Sequence, residues 1–207
     1  SGNIWAPAFD KDYSDLASFK CDFIYWINTE LLSSSVNKIY KRGLITELYP
    51  ENMSFGEDLV FVLNYLKHCN RISFTQEPLY QHEVYNSVSL THSFSPARFS
   101  NLEDIQKAIL DFADDKNKIN PRIYDKYVKD ALHLTRMWYK NKNVPYIRKK
   151  EIIGEWLKQS YIRKLKISDY QLHWKDRMLL HCLHMSCFIG INLIVNGKEY
   201  INSLSKE

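Results

Sequence analysis

Apolar residues recur at three- and four-residue steps along most of this chain, and that period predicts helices. Leu16, Phe19, Phe23, Ile27 and Leu31 give one apolar face to a helix from Ser14 or Asp15 to about Leu32, and Ser33-Ser34-Ser35 breaks it. Leu59 to Leu63 is apolar nearly all round, which predicts a buried helix over 57–66. Pro96 and a Ser100-x-x-Glu103 capping box open a helix to about Asp115, with Leu102, Ile105, Ile109 and Phe112 inward. Tyr124, Tyr127, Ala131, Leu134 and Trp138 mark a helix from Arg122 to Lys140. Ile152, Ile153, Trp156 and Leu157 mark another from Arg148 to Ser160. A last long helix starts near Asp169 or Trp174 and runs to about Val195, where Asn196-Gly197 stops it. Val36–Arg42 reads as a short amphipathic piece ended by Gly43. Strand signals are few: Leu44–Leu48, and Arg71–Thr75 ahead of Glu77-Pro78. The expected fold class is α+β, predominantly helical.

Composition narrows this little. The apolar and charged fractions, 45% and 25%, are ordinary for a globular domain, so fibrous and disordered classes drop out. Charge is uneven. Residues 140–177 carry eleven Lys/Arg against four Asp/Glu, which leaves the remainder mildly acidic. Cys21, Cys69, Cys182 and Cys187 have neither C-x-x-C nor zinc spacing, and apolar neighbours mark them as buried, reduced thiols of a cytosolic protein. Asp10-Lys11-Asp12 has the letters of a metal motif, but no apolar strand run precedes it, and it reads as a solvated turn.

Candidate chemistry gathers between Asn37 and Ser89. Glu57-Asp58 follows Gly56 and precedes the apolar run. Ser54-x-x-Glu57 is also a capping-box pattern, so both acids could serve only to start a helix. A carboxylate at the mouth of a buried helix is also partly desolvated, which suits general-base work. Lys38, Lys41 and Arg42 suit phosphate oxygens, or form a solvated basic turn. Tyr80, His82, Ser87 and Ser89 line a loop, in which His82 is either a ligand to metal or phosphate or a plain hydrogen-bonding residue.

In order, Asn37-Lys38-Ile39-Tyr40-Lys41-Arg42, Glu57-Asp58-Leu59, Glu77-Pro78-Leu79-Tyr80 and Asn86-Ser87-Val88-Ser89 resemble the C-terminal half of family-two inverting glycosyltransferases of the GT-A fold. The family's second aromatic after Tyr80 is His82 here, and its arginine is Glu83. The resemblance implies that the short strands are remnants of a GT-A mixed sheet, followed by a C-terminal helical bundle. It divides the chain into an acceptor-side part, 1–93, lacking the nucleotide-binding half, and a helical domain, 94–207. It implies Asp58 as general base and Glu57 beside it as catalytic, with Lys38, Arg42, Tyr80, His82 and Ser87 binding substrate. The donor would be a nucleotide-diphosphate sugar, and the acceptor a glycan or lipid-linked glycan of capsule, exopolysaccharide or lipopolysaccharide synthesis. A divalent metal, Mn or Mg, is expected in the parent enzyme and none on this fragment, which is expected to be inactive alone. The location implied is cytoplasmic, at the inner face of the plasma membrane.

A second reading rests on charge. Met178–Val195 is eighteen residues without formal charge behind the basic segment. It reads as a core helix, a surface-lying helix or a short span. Residues 140–195 could thus serve a non-catalytic helical interaction module on an anionic membrane surface or partner. No nucleic-acid motif accompanies the charge. An uncovered strand edge leaves a homodimer open.

Overall fold

The computed structural model describes residues 7–80 and 95–204, with side chains through Gly197. The chain is a predominantly helical α+β protein. Its sheet among the described residues is one antiparallel pair, β1 (Lys11–Tyr13) and β2 (Ile72–Phe74), with Asp12 opposite Ser73. Two compact units form: Ser1–Ser93 with Asp104–Lys126, and Phe94–Glu103 with Tyr127–Glu207.

In the first unit the two strands close over short helices. Asp10-Lys11-Asp12 is not a free turn. Lys11 and Asp12 enter β1, and Asp10 Oδ1 accepts from Gln76 N at 2.6 Å. The expected 14–32 helix is two, α1 (Leu16–Cys21) and α2 (Phe23–Asn28), then a 3-10 turn at Leu31–Ser33. The break falls at Asp22, whose φ/ψ of −103°/7° leave the helix while its carboxylate accepts from Tyr13 Oη at 2.7 Å. Trp26 Nε1 donates to the same Tyr13 oxygen at 2.6 Å, and the Trp26 ring stacks on Phe74 at 3.7 Å. Burial pushes the Tyr13 phenol up to about 12, so it stays a neutral donor. Leu44–Leu48 forms no strand, and Val36–Arg42 no helix. A 3-10 turn spans Arg42–Leu44, and the segment is tied to side chains of α3 (Glu57–Leu66): Lys41 N donates to Tyr65 Oη at 2.8 Å and Asn64 Nδ2 to Glu47 Oε2 at 2.6 Å.

The entry to α3 is set by Gly56. It, rather than Ser54, is the N-cap, at φ 76°. A Cβ at position 56 would collide with the Ile105 side chain. Glycine is therefore required twice, for its backbone region and for its missing methyl. Ile105 lies on α4 (Ala97–Phe112), which also starts earlier than expected. Ser100 sits inside it, donating back to Ala97 O at 2.8 Å. A short α5 (Asp115–Lys118) and a 3-10 turn at Pro121–Tyr124 complete the unit. Asn117, buried, donates to Lys20 O at 2.6 Å.

The second unit is helical: the start of α4, α6 (Asp125–Lys140), α7 (Tyr146–Gln159), α8 (Trp174–His184) and α9 (Phe188–Leu204). Glu103, the other half of the expected capping box, turns inward instead. Its carboxylate accepts from Tyr127 Oη, from Trp156 Nε1 at 2.6 Å and from Tyr161 N at 3.2 Å. Burial pushes its carboxyl upward, against those donors. The single long C-terminal helix is corrected to two, broken at Met185–Cys187. Gly197 does not end α9, which runs to Leu204; the Asn196 side chain donates to Asn192 Oδ1 at 2.8 Å. Cys21 and Cys187 are exposed and Cys182 half-buried, which corrects the reading of four buried thiols; Cys69 alone is fully buried. No helix among the described residues is long and apolar enough to cross a membrane.

Gly56→Ala is expected to destabilise the first unit by roughly 2–4 kcal/mol, the sum of a left-handed residue with a Cβ and a clash in a packed core. Urea unfolding checks it, and a loss under about 1 kcal/mol would contradict the stated need for glycine.

Candidate functional site

The N-terminus of α3 and the 35–40 segment meet. The buried core behind them runs through Leu59, Val62 and Leu63 of α3 with Leu31 and Leu32. This fixes the helix mouth against the chain that follows α2. Asp58, half-buried in the first turn of α3, accepts from Ser35 Oγ at 2.6 Å. Ser35 is buried, and its carbonyl accepts from Tyr40 Oη at 3.0 Å. Glu57 precedes Asp58 as the first helical residue, half-buried, where the helix dipole favours an acid.

Lys38 folds into the same place. Its ammonium donates to Leu31 O at 2.6 Å, to Asn37 Oδ1 at 2.7 Å and, closely, to Ser34 O. Three donors thus meet three oxygens, none of them a carboxylate. Desolvation holds Lys38 down to about 8, and the nearby Asp58 charge opposes that shift. Lys38 is consequently a titrating cation beside a carboxylate, whose own hydrogen bond comes from a serine. Tyr40 is tied in through Ser35 O. Burial pushes its phenol upward, and Tyr49, Asp58 and Tyr65 add to the shift. Its ring packs edge-on against Tyr65 at 4.9 Å and Phe61 at 5.4 Å, while half-exposed Tyr49 stacks on Phe61 at 4.5 Å. A carboxylate and a tunable ammonium therefore share one end of α3, and the aromatic contacts lie further along the helix at Phe61 and Tyr65.

Arg42 opens the 3-10 turn with its side chain exposed. Tyr80 lies on the extended stretch after β2, half exposed. His82, Ser87 and Ser89 lie outside the described residues. Of the expected site residues, Asp58, Glu57 and Lys38 are brought to one place. Ser35 joins them without having been singled out, and Tyr49 and Tyr65, equally unremarked, pack with Tyr40 and Phe61 further along α3. Ser35 carried no signal beyond its role in a helix-breaking serine run, and Tyr49 read only as turn. Among the described residues no cluster of three His, Cys, Asp or Glu side chains could hold a metal ion.

No protein-family model, curated protein or solved structure matches the chain.

Because the folded Lys38 binds its proton less tightly than the unfolded side chain, its contribution to stability improves as pH rises from about 8 towards the ordinary lysine range. The Lys38 side-chain resonance is expected to titrate near pH 8 in a two-dimensional NMR series, and lower still in Asp58→Asn, which removes the opposing charge. An ordinary lysine titration, or one indifferent to Asp58→Asn, would overturn this geometry.

Proposed function

We propose that this chain is the acceptor-side and C-terminal helical part of a longer nucleotide-sugar-dependent, inverting glycosyltransferase acting on a polysaccharide or lipid-linked acceptor. The observation that supports it is the convergence of two separated motif pieces. Lys38 and Tyr40 of the Asn37–Arg42 segment pack at the Glu57-Asp58 end of α3, with Ser35 holding Asp58. In this reading Asp58 takes the proton from an acceptor hydroxyl. The freed oxygen attacks the anomeric carbon of the donor sugar, and the nucleotide diphosphate leaves from the opposite face. Ser35 holds one carboxylate oxygen so that the other faces the acceptor. Glu57 orients the acceptor, Tyr49 offers a sugar ring an apolar face, and Lys38 and Arg42 supply positive charge near the leaving group. In this reading a Mn or Mg requirement belongs to the remainder of such an enzyme, and no step here depends on it. The setting is the cytoplasmic face of a plasma membrane.

In the longer protein, Asp58→Ala is expected to lower sugar transfer by about 10²–10⁴-fold with folding retained, as removal of a general base does. Transfer at the parental rate in a radiolabelled-donor assay rules out Asp58 as the base.

A second reading, an interaction module on an anionic membrane, is favoured by one surface of the second unit. Ile147 is 63% exposed, Ile189 71% and Leu193 53%. Tyr146, Ile189 and Leu193 line a shallow apolar groove of about 260 Å³ that ends at Asn196 and Gly197. Exposed Lys140, Arg148 and Lys150 lie on the adjoining helices, and Lys150 reaches over the Phe188 ring at 5.7 Å. The two readings are compatible, since such a surface would dock a transferase next to a lipid-linked acceptor. Cosedimentation with phosphatidylglycerol vesicles is expected, weakening with salt, and Ile189→Asp is expected to weaken it about tenfold or more. Equal sedimentation with zwitterionic vesicles, or none with either, removes this reading.

A further inference from the structure

We propose that Cys182 and Cys187 are a modification site: a dithiol that a hydroperoxide converts to an intrachain disulfide across the corner between α8 and α9. Three separate features meet there. The first is the backbone. Helix α8 ends with Ser186 in the left-handed region at φ 53°. Ser186 N donates to Leu183 O at 3.0 Å, and Cys187 N to Cys182 O at 2.7 Å. This pair of bonds is the Schellman ending, in which the side chains at the two outer positions commonly touch, and here both outer positions are cysteines. The corner is held from outside as well, by Arg163 Nη2 donating to Ser186 Oγ at 2.9 Å.

The second feature is Gly190. A Cβ there would stand 2.7 Å from Cys182 Sγ and 3.1 Å from Cys187 Sγ. Both sulfurs therefore border the same small space on α9, which a side chain would fill. The backbone bond at 2.7 Å and this shared border bring the two cysteines within the reach a disulfide needs.

The third feature is the difference between the two thiols. Cys187 is exposed, so an oxidant reaches it; Cys182 is half-buried behind it. Burial, and then the neighbouring Cys187, push the Cys182 thiol upward, which leaves Cys187 as the first to react. The Cys187 thiolate attacks one peroxide oxygen, the O–O bond breaks, and a sulfenic acid forms with release of water. The Cys182 sulfur then displaces hydroxide from the Cys187 sulfur, giving the S–S bond and a second water. In balance, two thiols and one hydroperoxide give one disulfide, one water and one water or alcohol; a thiol reductant reverses it.

The ring closed is short, so the loop-entropy gain is small and the bond is a local clasp, not a structural staple. It fixes the turn from which α9 leaves with its exposed Ile189 and Leu193. This inference does not depend on the transferase reading.

The test uses the whole chain, treated with hydrogen peroxide with and without dimedone, alkylated, cut with trypsin and weighed. Residues 178–198 fall in one tryptic peptide. In the wild type it is expected to lose the mass of two hydrogens and resist alkylation until reduced, while Cys69 stays alkylable. Cys182→Ser is expected to trap a dimedone adduct on Cys187, and Cys187→Ser to leave Cys182 alkylable. A dimedone adduct on wild-type Cys187 beside a free Cys182, a cross-link to Cys21 or to another chain, or an unmodified Cys187 in Cys182→Ser overturns the proposal.

Discussion

The close approach of Gly56 to Ile105 governs the first unit. A residue with a side chain could neither hold φ 76° cheaply nor fit against that isoleucine. Because the chain can turn there, α3 begins at Glu57, one face of it sinks into the Leu31, Leu32, Leu59 and Leu63 core, and its first turn faces Ser35. The position of Asp58 is thus a consequence of backbone permissiveness two residues earlier, not of a side-chain cap. The dipole of α3 and its two leading acids favour each other as well, but by only about 0.3–1 kcal/mol each, too little to set the geometry alone.

The same end of α3 concentrates opposed electrostatic demands. Lys38 is drawn in by three neutral oxygens and penalised by desolvation, and Asp58 partly restores its charge. A lysine near neutral affinity for its proton, next to a carboxylate held by a buried serine, is a chemically responsive pair rather than a solvated ion pair. Burial pushes the Tyr40 and Tyr65 phenols upward, so both stay neutral.

Legibility from sequence followed the source of each constraint. Helices α3, α6 and α7 were readable within a few residues, since Leu59–Leu63, Tyr127–Trp138 and Ile153–Leu157 carry their own period and their tertiary partners agree with it. The breaks at Asp22 and Ser186 were not readable. Tyr13 captures the Asp22 carboxylate from outside the helix, and Arg163, on a separate turn, ties down Ser186, so neither break shows in the local helical period. Both capping-box patterns misled for a related reason. Local Ser-x-x-Glu spacing cannot register that Gly56 turns the chain against Ile105, or that Glu103 is claimed by Tyr127 and Trp156. Of the site, Asp58 and Lys38 stood out through ordered motifs, whereas Ser35 had no distinguishing neighbour pattern. Strand β1 was masked by its two exposed charged residues; it pairs with β2, whose Phe74 stacks on Trp26.

In the proposed function, the Asp58 end of α3 is one side of a sugar-transfer site whose donor half lies elsewhere in a longer protein. Calorimetric titration of that longer protein and of this chain, in parallel, with a panel of nucleotide-diphosphate sugars and manganese tests it most directly. The account predicts that one donor binds the longer protein and that none binds this chain alone. Binding by neither would contradict it and reduce Glu57 and Asp58 to the opening turn of a buried helix.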